Sequence, residues 1–599
     1  MQNRSTIAIL ILLIVFAILS VFNTCFADAH RILLEGQFDD WDAIEPLYDD
    51  PIGDQVTGDL DLGRFWVAND EEYVFFCFEI GVEIILQEGN DVTLYLDTDN
   101  DSETGDAINT IGADTYWTFG DRAGRFYSGI SSYSIAQYKL GLLAAPTVTS
   151  ARFEIAMRRD AMPIGQELLF PGDTVAVVIK DQGDGQDQLP APGETIYFVI
   201  DDTPLPPLEP LTLDREDPTH LRVMTYNVHL DDFFQSWATD AYTRILNAID
   251  PDVIAFQEIY DHNVFETLDR VEAMLPGTWY GVKLPPDLVV CSRYPFADTE
   301  SIEGDNGAYL INLEADYDCE FLLIDCHLPA FQNNFDRQLE VDAVMAFIRD
   351  AKAGTGSMTL DENTPILITG DMNFIGYSTQ LNTLITGNIV YQGTHGAPFD
   401  PDWDDSDLFD LTPRHVVGPV YHTWIGSPTS GSYCPGRLDF MVYTDYVMTA
   451  GTNFVLYTPG MTTDLLTTYG LSATDTDIAS DHLPVVCDFW LHLGTPVEPE
   501  DRASLPTEFA VRHCYPNPFN AETVIPMELP QRSKEQMELF NVQGRNLGRV
   551  FEGIKNAGKA EIRYNASTLA SGVYFYRISA EGLERDGSYT DVGKMVLLK

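Results

Sequence analysis

Basic residues are scarce in this chain. Thirty-four lysines and arginines stand against 93 aspartates and glutamates, a formal charge of −59 over 599 residues. A surface of that sign favours solubility and repels polyanions. It also suits a cation-rich exterior, where salt or calcium screens the field. The last hundred residues are close to balanced, so the excess lies upstream. Cysteine is also sparse, eight in all, with no C-x-x-C pair to suggest zinc or redox work. Removing a leader that contains Cys25 leaves an odd number, and the sequence assigns no pairing. Beyond the first 22 residues no apolar run is long enough to span a membrane. Long helical periodicity is missing from the first 200 residues, and no internal repeat is present.

What is present divides the chain at proline-rich joints. Arg4, the apolar run from Ile7 to Phe22 and the Ala27-Asp28-Ala29 pattern read as a signal peptide over 1–29. Residues 30–200 are β-rich, with strand signals in Tyr73-Val-Phe-Phe-Cys-Phe, Val92-Thr-Leu-Tyr-Leu, Thr174-Val-Ala-Val-Val-Ile and Thr195-Ile-Tyr-Phe-Val-Ile. They predict a β-sandwich accessory module. A linker over 201–219 follows, with Pro204, Pro206, Pro207 and Pro210. Residues 220–493 alternate strands and helices, an α/β domain with helices covering sheets. A second linker covers 494–506. Residues 507–599 return to alternating β patterns in Met537-Glu-Leu-Phe-Asn-Val and Gly572-Val-Tyr-Phe-Tyr-Arg-Ile, which predicts a small sandwich.

Chemistry concentrates at strand ends in 220–493. Asn227 ends the first predicted strand and Glu258 the second. His327 follows Ile324-Asp-Cys, and Asp371 and Asn373 follow Ile368-Thr-Gly. Asp439 lies in Arg437-Leu-Asp-Phe, and Asp481 and His482 in Ser480-Asp-His-Leu-Pro. Strand ends are where α/β folds place reactive groups, because the strand is rigid and its mouth open. Oxygen donors of this kind suit magnesium, manganese or calcium. Two histidines offer proton transfer near neutral pH. Taken singly, each residue has an ordinary explanation as a turn, solvated or packed residue. Their order and context carry the argument.

Thr225-Tyr-Asn-Val, Gln257-Glu, Cys326-His-Leu, Gly370-Asp-Met-Asn, Arg437-Leu-Asp-Phe and Ser480-Asp-His-Leu-Pro-Val together resemble the endonuclease/exonuclease/phosphatase superfamily, the fold of deoxyribonuclease I. That resemblance implies a central four-layer α/β sandwich and a metal-dependent phosphodiesterase. It implies metal ligands at Asn227, Glu258 and Asp481, with Mg2+ or Mn2+ first and Ca2+ as a further choice. Asp371 would orient or deprotonate the attacking water, and Asn373 would donate to a phosphate oxygen. His482, oriented by Asp439, would bind the phosphate. His327 would act on the phosphate or the leaving group. Arg293, Arg337 and Thr423 would approach the substrate phosphate.

The flanking segments carry resemblances of their own. Leu34-Glu-Gly-Gln-Phe-Asp-Asp-Trp and Leu96-Asp-Thr-Asp-Asn resemble extracellular sandwiches related to family 9 carbohydrate-binding modules. Glycan or calcium would then be a partner, with Trp66 or Trp117 either stacking a sugar or packing in the core, and the acidic loop from Asp97 either wrapping an ion or forming a plain acidic turn. Tyr515-Pro-Asn-Pro-Phe-Asn, Leu569-Ala-Ser-Gly-Val-Tyr and Lys594-Met-Val-Leu-Leu-Lys resemble the C-terminal sorting domain of type IX secretion. That implies contact with the type IX machinery and a secreted or cell-surface location. The expected activity is phosphodiester hydrolysis by an extracellular nuclease. A phospholipid or small-phosphoester hydrolase is the alternative, and a non-catalytic surface-binding or adhesion protein a third reading. The shortage of lysine and arginine moves weight away from nucleic acid.

Overall fold

The structure is a computed structural model. It describes residues 25–492 apart from 27, 54–59, 184–185 and 430, and residues 509–598 apart from 512–513, 515–516, 518, 520–521, 530–532, 543–544, 556–557, 567–568, 570 and 583–587. The expected signal sequence falls almost wholly outside the described residues, as does the expected linker 494–506. The chain divides into two compact units, Met1–Leu493 and Gly494–Lys599.

Within the first unit, two mainly antiparallel sheets open the chain. Ser150–Arg158, Tyr73–Ile84 and Leu62–Asn69 belong to one, and Thr174–Asp181, Val92–Asp97 and Thr115–Thr118 to the other. Alternating apolar side chains from both, such as Phe76, Phe78, Leu94 and Val177, meet in one core. Trp66 and Trp117 are buried in these layers. Sugar stacking by either is thereby corrected, because an indole packed among core side chains offers no face to a ligand. In the acidic loop, oxygens of Asp97, Asp99 and Asp114 lie within 4.8 Å of one another. Backbone amides of Thr98, Asp99 and Asp101 and the more distant Gly112 amide face these oxygens.

The α/β region is built on two six-stranded sheets packed face to face. The first centres on Leu221–Asn227 and Val253–Gln257, paired in parallel, with Val485–Leu491 antiparallel beside them. The second centres on Glu320–His327 and Ile366–Asp371, also parallel, with Asp439–Tyr443 antiparallel beside them. Val223, Ala255, Leu323, Leu367 and Met441 fill the space between the sheets. The opposite faces are covered by helices. Thr239–Ile249 and Val264–Met274 pack on the first sheet, and Asn334–Lys352 on the second. The order is helix, sheet, sheet, helix. Strands buried on both faces read as continuous apolar runs, which is why these segments lack alternation.

The second unit contains a three-stranded and a four-stranded sheet that share a core around Ile525, Met537, Ile562, Ile578 and Met595. The seven cysteines after Cys25 are free thiols, six of them buried. Among the described residues no helix is long and apolar enough to cross a membrane.

Candidate active site

Strand register assembles the site. In the second sheet His327 pairs with Asp371, and Asp371 with Asp439, so three functional residues lie side by side on neighbouring strands. Gly370 makes the approach possible: at φ +119° a Cβ there would stand 2.1 Å from the Cys326 carbonyl oxygen. In the first sheet Asn227 pairs with Gln257, which places it next to Glu258. The two sheet mouths meet at Asn227, whose Nδ2 donates to Glu258 Oε1 (3.1 Å) and Asp371 Oδ2 (3.0 Å).

Two buried acid–histidine pairs flank Asp371. His482 Nδ1 contacts Asp439 Oδ2 at 2.9 Å, and His327 Nδ1 contacts Asp287 Oδ2 at 2.7 Å. The free Nε2 atoms face the same carboxylate, 3.6 Å and 3.8 Å from Asp371 Oδ2. Burial pulls both imidazoles toward neutrality. The acids around them win, holding His327 up at about 9 and His482 at about 10. Both shifts favour the imidazolium form. Asp371 is pushed up by burial, an effect that the His482 charge opposes.

Six non-glycine residues around this site hold positive φ: His229, Leu230, Asp231, Glu258, Phe331 and Asn373. Such conformations cost energy and persist only where the surroundings enforce them, commonly at functional sites. Here Leu230 N donates to Glu258 Oε2 at 2.7 Å, and Asn373 N to Asp371 Oδ1 at 3.1 Å. The strained turns thus fasten both carboxylates.

The structure brings together Asn227, Glu258, His327, Asp371, Asn373, Asp439, Asp481 and His482. In this arrangement Asn227 bridges two carboxylates, and its Oδ1 accepts from His229 N. Asn373 Nδ2 spends one hydrogen on the Leu328 carbonyl. Three expected substrate contacts are corrected. Arg293 sits at the opposite end of the Glu258 strand, bonded to Asp250 and to the carbonyls of Pro251 and Pro276. Arg337 is fully buried, donating to the carbonyls of Pro329 and Phe331. Thr423 is buried, its Oγ1 accepting from Leu438 N and Asp439 N. Each already has partners that fix a backbone segment. Asp287 is the functional residue missed. It follows Pro285-Pro286 in a loop, with no strand-end pattern to mark it.

Metal-ligating character is present. Ligand atoms of Asp371, Asp439 and His482 lie within 4.8 Å of one another, but His482 Nδ1 is taken by Asp439 and its Nε2 faces Asp371, so the carboxylate oxygens are the donors that remain for an ion. Asp481 Oδ2 accepts from Trp424 Nε1 at 3.0 Å, while its buried Oδ1 has no partner among the described residues. The cleft of about 240 Å³ is lined by Glu258, Asp371 and Asp481 and by no lysine or arginine among the described residues. An orphaned carboxylate oxygen in an oxygen-rich cleft without basic side chains fits a divalent cation.

The model of the Endonuclease/Exonuclease/phosphatase family matches residues 224–482, a range that includes every residue from Asn227 to His482 brought together above. The central region is an endonuclease/exonuclease/phosphatase-family domain. A second model, the secretion system C-terminal sorting domain, matches residues 513–585. The phosphoesterase domain is therefore joined to a tail that directs export through the type IX route. No curated protein matches the chain. Among solved structures, the human Nocturnin catalytic domain with bound sulfate anion is 14% identical, covering 48% of this chain and 96% of its own, at a TM-score of 0.29. An endonuclease/exonuclease/phosphatase from Beutenbergia cavernae is 15% identical, covering 62% and 99%, at 0.29. Sphingomyelinase C from Streptomyces griseocarneus is 14% identical, covering 45% and 99%, at 0.25.

Proposed function

We propose that this domain hydrolyses phosphodiester bonds with the help of a divalent cation. The observation that carries this reading is the convergence of two imidazolium Nε2 atoms on the buried Asp371 carboxylate, beside Glu258. Glu258 would hold the ion, with Asp481 as a second oxygen donor. When bound, the ion supplies charge neutralisation at phosphate oxygens and a lowered pKa for a bound water. Asp371 would orient the attacking water and take its proton, for which an upward-shifted pKa is suited. His482 Nε2–H would donate to a non-bridging phosphate oxygen. His327 Nε2–H would donate to the leaving oxygen. Phosphoryl transfer asks for in-line positioning and neutralisation of spread charge, and these groups supply both.

The sorting tail gives the setting, outside the cell or on its surface. The apolar stretch Ile7 to Phe22 would serve the inner-membrane step as a cleaved signal. Nucleic acid is the substrate the family resemblance first suggests, and the cleft lining argues against it. All ten lysines and arginines in 220–493 are engaged internally, including Arg222 with Asp488, Arg244 with Asp475, Lys352 with two carbonyls and Arg437 with Asp410. None of the ten is left free to track a polyphosphate backbone.

The full chain should be assayed with Mg2+, Mn2+ or Ca2+ against bis(4-nitrophenyl) phosphate, plasmid DNA, RNA and sphingomyelin vesicles. Turnover abolished by chelator and by Asp371→Ala or His482→Ala is expected on at least one of them. Turnover that survives either substitution, or none on any substrate, sinks the reading. It would favour the non-catalytic surface role in the second case.

A further inference from the structure

The module that precedes the phosphoesterase domain is bonded into its cleft. Residues 426–429 and 431–436 belong to a loop that leaves Trp424, meets the N-terminal sheets and returns at Arg437-Leu438-Asp439. Gln137 Nε2 donates to the carbonyls of Ser427 (2.9 Å) and Tyr433 (3.3 Å). Arg122 Nε donates to the Gly431 carbonyl (2.8 Å), and its guanidinium lies 4.4 Å over the Tyr433 ring. Cys434 N donates to Gln87 Oε1 (2.7 Å), and the Cys434 side chain sits in the module's own core. From the module, Thr147 Oγ1 donates to the Phe374 carbonyl (2.6 Å), one residue from Asn373. A Cβ on Gly436 would stand 2.6 Å from Thr147 Cγ2. Contacts this close make one packed body of module and cleft.

The consequence is a wall of mixed origin. Ile85, Gln87 and Thr147 from the module face the cleft together with Phe331, Trp424 and Tyr433 from the domain. Four of these six are large apolar or aromatic side chains. Gln87 spends its Oε1 on Cys434, and its Nε2 has no hydrogen-bond partner among the described residues. A volume of about 240 Å³ holds a phosphate and one ring, and falls below the usual range for larger ligands. The wall stands beside the same cavity that Asp371, His327 and His482 line, so whatever is attached to the scissile phosphate must pass it.

We propose that the N-terminal module is part of the substrate site: Ile85, Gln87 and Thr147 complete a pocket for a compact apolar or aromatic substituent of a single phosphodiester, and the same wall keeps duplex nucleic acid from Asp371. The proposal rests on the phosphodiesterase reading above. Gln87 Nε2–H is the donor for an acceptor atom carried on an aromatic substituent, such as a ring nitro oxygen, and the aromatic side chains supply its stacking surface.

Two esters share the 4-nitrophenolate leaving group and differ only in the other substituent, bis(4-nitrophenyl) phosphate and methyl 4-nitrophenyl phosphate. With the full chain and Mg2+, kcat/KM should favour the aryl ester, and plasmid DNA should stay intact. Ile85→Ala and Gln87→Ala should each cut the aryl-to-methyl preference about tenfold, the scale on which apolar pockets discriminate. The preference is a ratio, so a variant with a reduced folded fraction still reports it. An unchanged ratio in both variants, or plasmid cleaved as readily as the aryl ester, overturns the proposal. If no ester turns over, the phosphodiesterase reading falls and calorimetry with phenyl phosphate decides the pocket by itself. A roughly tenfold weaker Kd in Ile85→Ala supports it, and an unchanged Kd in both variants overturns it.

Discussion

At the scale of single residues, the positive charge of the cleft comes from histidine. Two imidazoles, each held by a buried aspartate, do what lysine or arginine would do in a basic site. Asp287 belongs to this device. It accepts from Glu258 N at 2.9 Å as well as contacting His327 at 2.7 Å, so it fixes a metal-ligand candidate and an acid at once. Asp287→Asn should lower kcat/KM about 10- to 100-fold and move the His327 pKa down, read by NMR of the ring protons. Asp287→Asn added to His327→Ala should cost little further activity. An additive loss would show that Asp287 acts by another path. A second aspartate makes a different prediction. Asp325 is fully buried, and burial pushes its pKa well above the ordinary carboxylate range despite the Gln257 hydrogen bond of 2.6 Å. A carboxyl whose folded pKa lies above its unfolded value stabilises the fold in acid relative to neutral pH. Stability is then lost as pH rises from about 4 toward the folded value, by up to about 1.4 kcal/mol per unit. Asp325→Asn removes that loss and lets the side chain donate to the otherwise unpartnered Gln257 Oε1. The variant should match wild type near pH 4 and exceed it in denaturant midpoint near pH 8. Equal pH profiles would contradict the buried neutral carboxyl. Of these residues the sequence revealed His327 and hid Asp287 and Asp325. A histidine after an apolar run is visible, whereas a loop aspartate and a mid-strand aspartate look like any of 93 acids.

At the scale of elements, strand ends were the legible feature. Continuous apolar runs marked Val253–Gln257, Glu320–His327 and Ile366–Asp371 to within a residue or two, because two-sided burial leaves few polar positions. The helix Asn334–Lys352 buries Val341, Val344, Met345 and Ile348, and its N-terminal turn extends beyond that apolar periodicity. Residue type did not reveal which end of a strand an arginine occupies, and so Arg293 was misplaced. The far end of the first sheet has its own chemistry. Arg222 donates to both Asp488 oxygens, at 2.5 and 2.8 Å, and to the carbonyls of Leu213 and Ile249, with both side chains buried. That one guanidinium ties two neighbouring strands to the inter-segment linker and to a helix end. Asp488→Ala leaves it buried and uncompensated, and should cost about 3–5 kcal/mol in chemical denaturation. The activity per folded molecule should hold, since Arg222 lies at the end of its strand remote from Asn227. A loss below about 1 kcal/mol would show the pair to be solvated.

At the scale of the whole molecule, net charge and site charge oppose each other. The sequence made the acidity plain, but not that every basic side chain of 220–493 is internally engaged, because partners as far as 266 residues away leave no local trace. It also gave no sign that the preceding module walls the cleft, since Ile85 and Tyr433 are brought together only by packing. The functional result is an anionic substrate approaching a chain of charge −59 with no basic groove among the residues that line the cleft. Encounter is then hindered by long-range repulsion, and salt relieves it. Between about 10 mM and 0.15 M salt the screening length falls from about 30 to 8 Å. At saturating metal, kcat/KM for bis(4-nitrophenyl) phosphate should rise about 2- to 5-fold over that range, with kcat unchanged. The zwitterionic 4-nitrophenylphosphorylcholine, which carries the same phosphodiester and leaving group, should respond far less. A basic nuclease groove behaves in the opposite way, losing affinity steeply with salt as counterions return to the phosphates. A fall in kcat/KM with salt for the anionic ester would therefore place a cationic surface at the cleft mouth, and with it a nucleic-acid substrate.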